Sequence, residues 1–238
     1  MSSITPSPYF PASPEAPLLR EKHEIQANCS ISTAGATANG TYAITDQIGM
    51  IGKASFSSNK PDGHDGHQAS AELGIGLFDS GKDGGTCEVY SGCGWGESRY
   101  SWQDFSGPYF QPILISGTDQ SINFLNAWLQ VDAGWTGRIA AFAVLARVNY
   151  VNVYRDLQTT TTYHDIDPGF YLGGPPKVPY SESYMTATHV LYLTPGVEAR
   201  VGYEHIYLEG IVYLLIGFSG LNSNAPPGLG SLGLVYRF

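Results

Sequence analysis

Two short stretches gather side chains that could bind a metal or move a proton. His64-Asp65-Gly66-His67 puts two imidazoles and a carboxylate within one short polar stretch, and both groups are common metal ligands. The spacing matches no zinc pattern, and a short Gly-containing loop of this kind is more often a solvated turn. Tyr163-His164-Asp165-Ile166-Asp167 offers carboxylates for Ca²⁺ but lacks the Gly and closing Glu of a calcium loop. No G-x-S-x-G elbow accompanies either histidine. No catalytic set, cofactor or metal site is therefore assigned; His64, Asp65 and His67 stand as the metal candidates.

A third set of chemically active groups is dispersed. Lys53, Glu72, Glu88, Asp132, Arg147, Glu198, Arg200, Glu209 and Arg237 each occupy the polar phase of a stretch that alternates apolar and polar residues. Period-two alternation is the mark of a strand with unlike faces. If the apolar faces meet lipid, a charge on that side would cost about 2–4 kcal/mol at the bilayer midplane. These nine residues should then point inward, where buried charges must pair.

The composition fits a wall of strands. Only 14% of the 238 residues are charged, while Gly numbers 29 and Tyr 16. Gly and β-formers weaken helices, and Tyr suits a membrane interface. Mean hydropathy is near zero, as expected where lipid-facing and lumen-facing residues alternate. No apolar run approaches the roughly 20 residues of a helical span. A net charge of −9 argues against nucleic acid as a partner. Cys29, Cys87 and Cys93 read as small apolar residues, with a bridge to Cys29 left open. No signal-peptide pattern is visible at Met1, so a processed form is expected of a barrel that must cross an inner membrane.

Residues 1–22 are rich in Pro and Ser and read as an extended tail that forms no packed element. Residues 23–238 then read as an all-β, transmembrane, antiparallel up-and-down barrel. About ten strands are expected, near 24–33, 37–45, 48–58, 68–78, 86–97, 121–135, 138–154, 187–203, 206–219 and 230–238. Connections after even strands are short or modest. Those after the third, fifth, seventh and ninth are longer, with long stretches at 98–120 and 155–186. Outer-membrane barrels sort their loops by parity in this way. An even strand count predicts that both termini are periplasmic. A ten-stranded lumen is little wider than one that side chains fill, so a salt-bridged, closed interior is expected.

The chain ends Ser231-Leu232-Gly233-Leu234-Val235-Tyr236-Arg237-Phe238. Ser231, Gly233, Tyr236 and Phe238 resemble the C-terminal β-signal that the outer-membrane assembly machinery reads. Leu232, Leu234, Tyr236 and Phe238 would form one lipid-facing row. Ala-Pro-Leu-Leu-Arg-Glu-Lys-His-Glu-Ile-Gln at 16–26, Thr41-Tyr42-Ala43-Ile44-Thr45-Asp46, Glu88-Val89-Tyr90-Ser91-Gly92 and Tyr109-Phe110-Gln111-Pro112 resemble landmarks of small Bacteroidota-type outer-membrane barrels. The resemblance implies a Gram-negative outer-membrane location and a barrel fold, with no shared activity.

The expected role is a structural or partner-binding component of that membrane. Its partners would be outer-membrane lipids, the assembly machinery and other outer-membrane proteins. The last would meet loops bearing Tyr100, Trp102, Phe105, Tyr109, Phe110, Phe170, Tyr171, Tyr180 and Tyr184, aromatics that could equally fold over the barrel mouth and cover it. Two alternatives stand beside it. One is a narrow pore for a small solute. The other is a surface hydrolase built on His164 with Asp165 or Asp167, or on His64 with Asp65.

Overall fold

A computed structural model describes residues 12–32, 35–59, 64–106, 113–162, 180–185, 188–218 and 228–238. These are all strand and connection. The strands are β1 (Ile25–Ser32), β2 (Gly35–Ala43), β3 (Ile48–Asn59), β4 (His64–Ser80), β5 (Gly85–Ser106), β6 (Ile113–Thr136), β7 (Ala140–Thr162), β8 (Tyr180–Met185), β9 (Thr188–Tyr203), β10 (Ile206–Leu214), β11 (Ile216–Gly217) and β12 (Gly228–Arg237). β8 lies against the upper part of β7 and β9 against its lower part, so the two form one stave. β11 continues the line of β10 along β9. That line breaks at Leu215, beside Pro195, whose ring leaves no N–H for the ladder.

Neighbours in sequence pair antiparallel, and β12 returns to β1 with Gln26 opposite Arg237. The sheet is a closed antiparallel barrel of ten staves, without a free edge through its lower part. Short connections at 44–47, 81–84, 137–139 and 204–205 share one end, with Phe238 beside Ile25.

Packing is inverted relative to a protein in water. Leu73, Ile75, Leu77, Leu129, Val201, Leu208, Val212, Leu232 and Leu234 lie exposed on the outer face. Arg147, Glu88, Asp132 and Glu198 are each 1% exposed within. An apolar face this large is stable only against hydrocarbon. Trp135, Tyr203, Tyr236 and Phe238 border the belt at the short-turn end. Trp95, Tyr150 and Tyr154 border it above. The chain is a membrane-spanning barrel. Cys29, Cys87 and Cys93 are free thiols on the outer surface.

The wall is uneven. β1 has 8 residues and β2 has 9, whereas β5, β6 and β7 have 22, 24 and 23. About 9–11 residues cross a bilayer, so β5–β7 stand well above the lipid. This corrects the sequence reading in three places. The stretches 98–106, 113–120 and 155–162 are strand, not loop. His64-Asp65-Gly66-His67 opens β4 and is not a loop. Most of the residues expected at 180–186 are strand as well. Above the belt the outer face turns polar, with Arg99, Ser101, Asp119 and Ser121 outward. The hydropathy contrast that reveals a strand is lost there, while backbone pairing continues.

Candidate functional site

The lumen is filled by side chains and by the chain's own N-terminal segment. Residues 12–19 are buried within the barrel. The sequence reading of an extended segment without a packed element misses this, because the packing partner is the wall. An extended chain inside a barrel has no ladder, so each backbone polar group needs a side-chain partner. Pro14 and Pro17 remove two donors from the requirement.

Carboxylates take the N–H groups. Ala16 N donates to Glu198 Oε2 at 2.8 Å. Leu18 N and Leu19 N donate to the two oxygens of Glu88 at 3.0 and 2.7 Å. Leu18 has a φ of 54°, a left-handed conformation costing about 1–2 kcal/mol in a non-glycine residue. It turns two successive N–H groups onto one carboxylate, an anion-holding nest. Cations and amides take the carbonyls. Arg200 Nη2 reaches Ala16 O at 2.6 Å and Gln130 Nε2 reaches Glu15 O at 2.7 Å. Lys53 Nζ donates to Ser13 O. Glu15 accepts from Ser30 and Asn39.

Two of the wall's charge clusters centre on buried arginines. Arg147 pairs with Glu72 at 2.6 Å, stacks over Trp128 at 4.4 Å and donates to Asn149 at 2.8 Å. Asn126 holds the other oxygen of Glu72 at 2.7 Å. Arg200 lies between Glu198 at 2.6 Å and Glu209 at 3.0 Å, and Asn28 donates to Glu209 at 2.6 Å. Glu88 and Asp132 face each other directly across β5 and β6. Of these two, Glu88 is satisfied by the plug and Asp132 by Gln130 at 3.0 Å. Arg237 closes the floor against Glu24 at 2.7 Å.

Glycines make room for this filling. A Cβ on Gly92 would meet Leu73 O at 2.2 Å and the Trp128 ring at 2.5 Å, and one on Gly96 would meet Phe124 at 2.4 Å. The lumen-facing glycines of β5 thus seat the large side chains of β6. Beside Ala12 and Ser13 a cavity of about 20 Å³ remains, lined by Ser32, Thr37, Ser55 and Tyr213. That is room for a water or two.

All nine charges singled out in the sequence lie here: Lys53, Glu72, Glu88, Asp132, Arg147, Glu198, Arg200 and Glu209 are buried, and Arg237 is part-exposed at the floor. Sequence reasoning missed Glu15, Glu24, Gln130 and Trp128. The signal for Glu15 was its place between two prolines; the others sit in phase with the named charges. Ser231 faces the lumen and touches Ser13, whereas Tyr236 and Phe238 point outward and pack edge to face. His67 is exposed on the outer wall, while the side chains of His64 and Asp65 lie outside the described residues. So do His164, Asp165, Asp167, Tyr109, Phe110, Phe170 and Tyr171, and the side chains of Trp102, Phe105, Tyr180 and Tyr184. Tyr100 is buried against the lumen.

No family model and no curated protein matches the chain. Several solved outer-membrane proteins follow a similar strand course. The translocator domain of the autotransporter NalP from Neisseria meningitidis is 13% identical, with 90% of this chain and 87% of that one covered and a TM-score of 0.42. The outer membrane protease OmpT from Escherichia coli is 10% identical, with 90% and 93% covered and a TM-score of 0.44. A major outer membrane protein from Thermus thermophilus is 13% identical, with 90% and 98% covered and a TM-score of 0.40.

Proposed function

We propose that this chain is a closed barrel of the Gram-negative outer membrane, sealed by its own N-terminal segment, that serves as a structural or partner-binding component. The short-turn end and Phe238 face the periplasm, as parity sorting of the connections suggests. Ser231, Gly233, Tyr236 and Phe238 serve as the signal for the assembly machinery. The tall wall of β5–β7 offers a broad polar face to a partner above the lipid. The reading assigns no catalysis to the barrel.

One observation carries the closed lumen. Glu88 and Arg200 hold the main chain of residues 16–19 in mid-lumen, and both belong to the same buried network. Free passage of solutes would require that network to be broken. Planar-bilayer recording tests this. The intact protein should give no single-channel steps, whereas Glu88→Ala, which frees two plug N–H groups, should give intermittent ones. Stable steps from the intact protein would refute the closed lumen and favour the pore reading. A lone monomer after gentle detergent extraction of native membranes would weaken the partner role.

A further inference from the structure

On the outer face of β4–β7 the wall changes chemistry in steps as it leaves the lipid belt. The apolar rows end with Leu73 and Leu125, both exposed. Trp95 stands opposite Leu125 on one side, and Tyr154 projects from β7 on the other; their side chains are 58% and 53% exposed. One level higher Glu97 faces Asn123, and Asn123 faces Arg155. Above these, Arg99 lies between His67 and Ser121. A bulge produces part of this order. Phe124 pairs with Val153 and Asn123 with Arg155, which leaves Tyr154 without a partner. Bulges re-aim side chains, and here Tyr154 and Arg155 are both exposed. Of the lysines and arginines among the described residues, Arg99 and Arg155 are the two on the outer wall above the belt; the others fill the lumen or lie at the short-turn end. Two adjoining surface grooves run between these side chains. One of about 380 Å³ is lined by Trp95, Glu97, Asn123 and Tyr154, and one of about 410 Å³ by His67, Arg99 and Ser121. Each has the size of a small-molecule site.

We propose that this sector binds a phosphorylated glycolipid of the outer leaflet. Its acyl chains lie against Leu73 and Leu125, its sugar against Trp95, Tyr154, Glu97 and Asn123, and its phosphate at Arg99 and Arg155. The proposal rests on the orientation given above, with the tall wall outside, and does not depend on the closed lumen. Aromatic faces carry negative potential and pack against the C–H faces of a sugar ring. A carboxylate beside an amide offers acceptors and donors to its hydroxyls. Guanidinium groups take phosphate oxygens in pairs and give up water readily. Glu97 approaches Arg99 at 3.5 Å, but a pair this exposed is weak, so Arg99 is free to turn to a phosphate. Asp119 stands opposite Ser101 one level higher, so the cationic level is one row deep and suits a phosphate held at a fixed depth. A free phosphate has the same charge chemistry. The unbroken run from apolar rows to aromatics to arginines favours one tethered to acyl chains.

Native mass spectrometry of the full chain in detergent, with phosphorylated lipid A added, reads binding without regard to orientation. Arg99→Ala and Arg155→Ala should each weaken retention roughly tenfold, the loss of one charge-assisted phosphate contact. Lipid A stripped of phosphate should bind the intact chain as weakly as phosphorylated lipid A binds the double arginine variant. Trp95→Ala should weaken both forms of the lipid. Arg138→Ala removes an exposed arginine that stacks on Tyr203 at the short-turn end, and should leave binding unchanged. The proposal is overturned if the double variant binds as the intact chain does, if phosphatidylglycerol is held as tightly as lipid A, or if Arg138→Ala costs as much as Arg99→Ala. Displacement by inorganic phosphate alone would assign the site to a free anion and overturn it as well. Orientation is read separately, in a chain with Cys29, Cys87 and Cys93 changed to alanine. Ser101→Cys should react with a membrane-impermeant maleimide in intact cells. A reaction only after permeabilisation would overturn the assigned orientation, and with it the outer leaflet as the source, while retention in detergent would still support the site.

Discussion

The lower and upper halves of the lumen are sealed by opposite means. Below, Arg147, Arg200 and Lys53 stand among Glu15, Glu72, Glu88, Asp132, Glu198 and Glu209, and the plug completes their bonding. Leu19 packs with Ile51, Phe78, Tyr90 and Trp128, and Leu18 packs with Ala141, Ala143 and Leu145. Above, Ile122, Phe124, Val151, Val153, Val190, Tyr192 and Leu215 form an apolar cluster that, among the described residues, includes none of the plug. That cluster is contributed by the adjacent staves of β6, β7 and β9, with Leu215 added from the break between β10 and β11. The lower half depends on a segment distant in sequence, and the upper half closes on itself. The lower half should therefore couple stability to leakage, and the upper half should not.

Arg200→Met gives the largest effect. It strands Glu198 and Glu209 in the buried lumen and releases the carbonyl of Ala16. Removing one partner of a buried ion pair costs about 3–5 kcal/mol. The urea midpoint of the barrel in lipid vesicles should fall accordingly, and conductance steps should appear. A large loss of stability without leakage would show that the plug is held by packing alone.

Phe124→Ala is the matching cut above, expected to cost about 3 kcal/mol through lost burial and the cavity left. Stability should drop nearly as far as for Arg200→Met, yet bilayers should stay silent. Steps from this variant would dissolve the distinction between the halves. Gly92→Ala probes the level between them. Its Cβ would press on a backbone oxygen and the Trp128 ring, an overpacking cost of about 1–3 kcal/mol. Because Trp128 stacks on Arg147, this variant should lower the urea midpoint and broaden the Trp fluorescence spectrum.

The lower half was the more legible in sequence. Its charges stand in phase with an apolar outer face, so Glu88, Asp132 and Arg147 could be placed by counting residues. The ten staves followed from the same alternation within the lipid belt. What counting could not reach was anything lacking that contrast. In the tall wall both faces of β5 beyond Trp95 include polar residues, so Ser98 to Ser106 looked like loop. The plug has no period at all; its order comes from groups as far as 184 residues away, such as Glu88 for Leu18 and Arg200 for Ala16. Local propensity carries no trace of such partners.

The smallest predicted effect sharpens the same contrast at the surface. Arg99 and Glu97 approach at 3.5 Å on the tall wall, with side chains 60% and 45% exposed. Exposed pairs of this kind contribute about 0–1 kcal/mol, since water screens the charges and both side chains lose freedom. Arg99→Ala should therefore shift the urea midpoint by no more than the scatter of the measurement. Arg237 and Glu24 are closer, at 2.7 Å, with side chains 18% and 3% exposed at the floor. There Glu24 also holds Arg20 N and Gln26, so Arg237→Ala should destabilise measurably more than Arg99→Ala. Equal losses would mean that the floor pair is as solvated as the rim pair, and that the ionic seal begins above it, at Glu88 and Arg200.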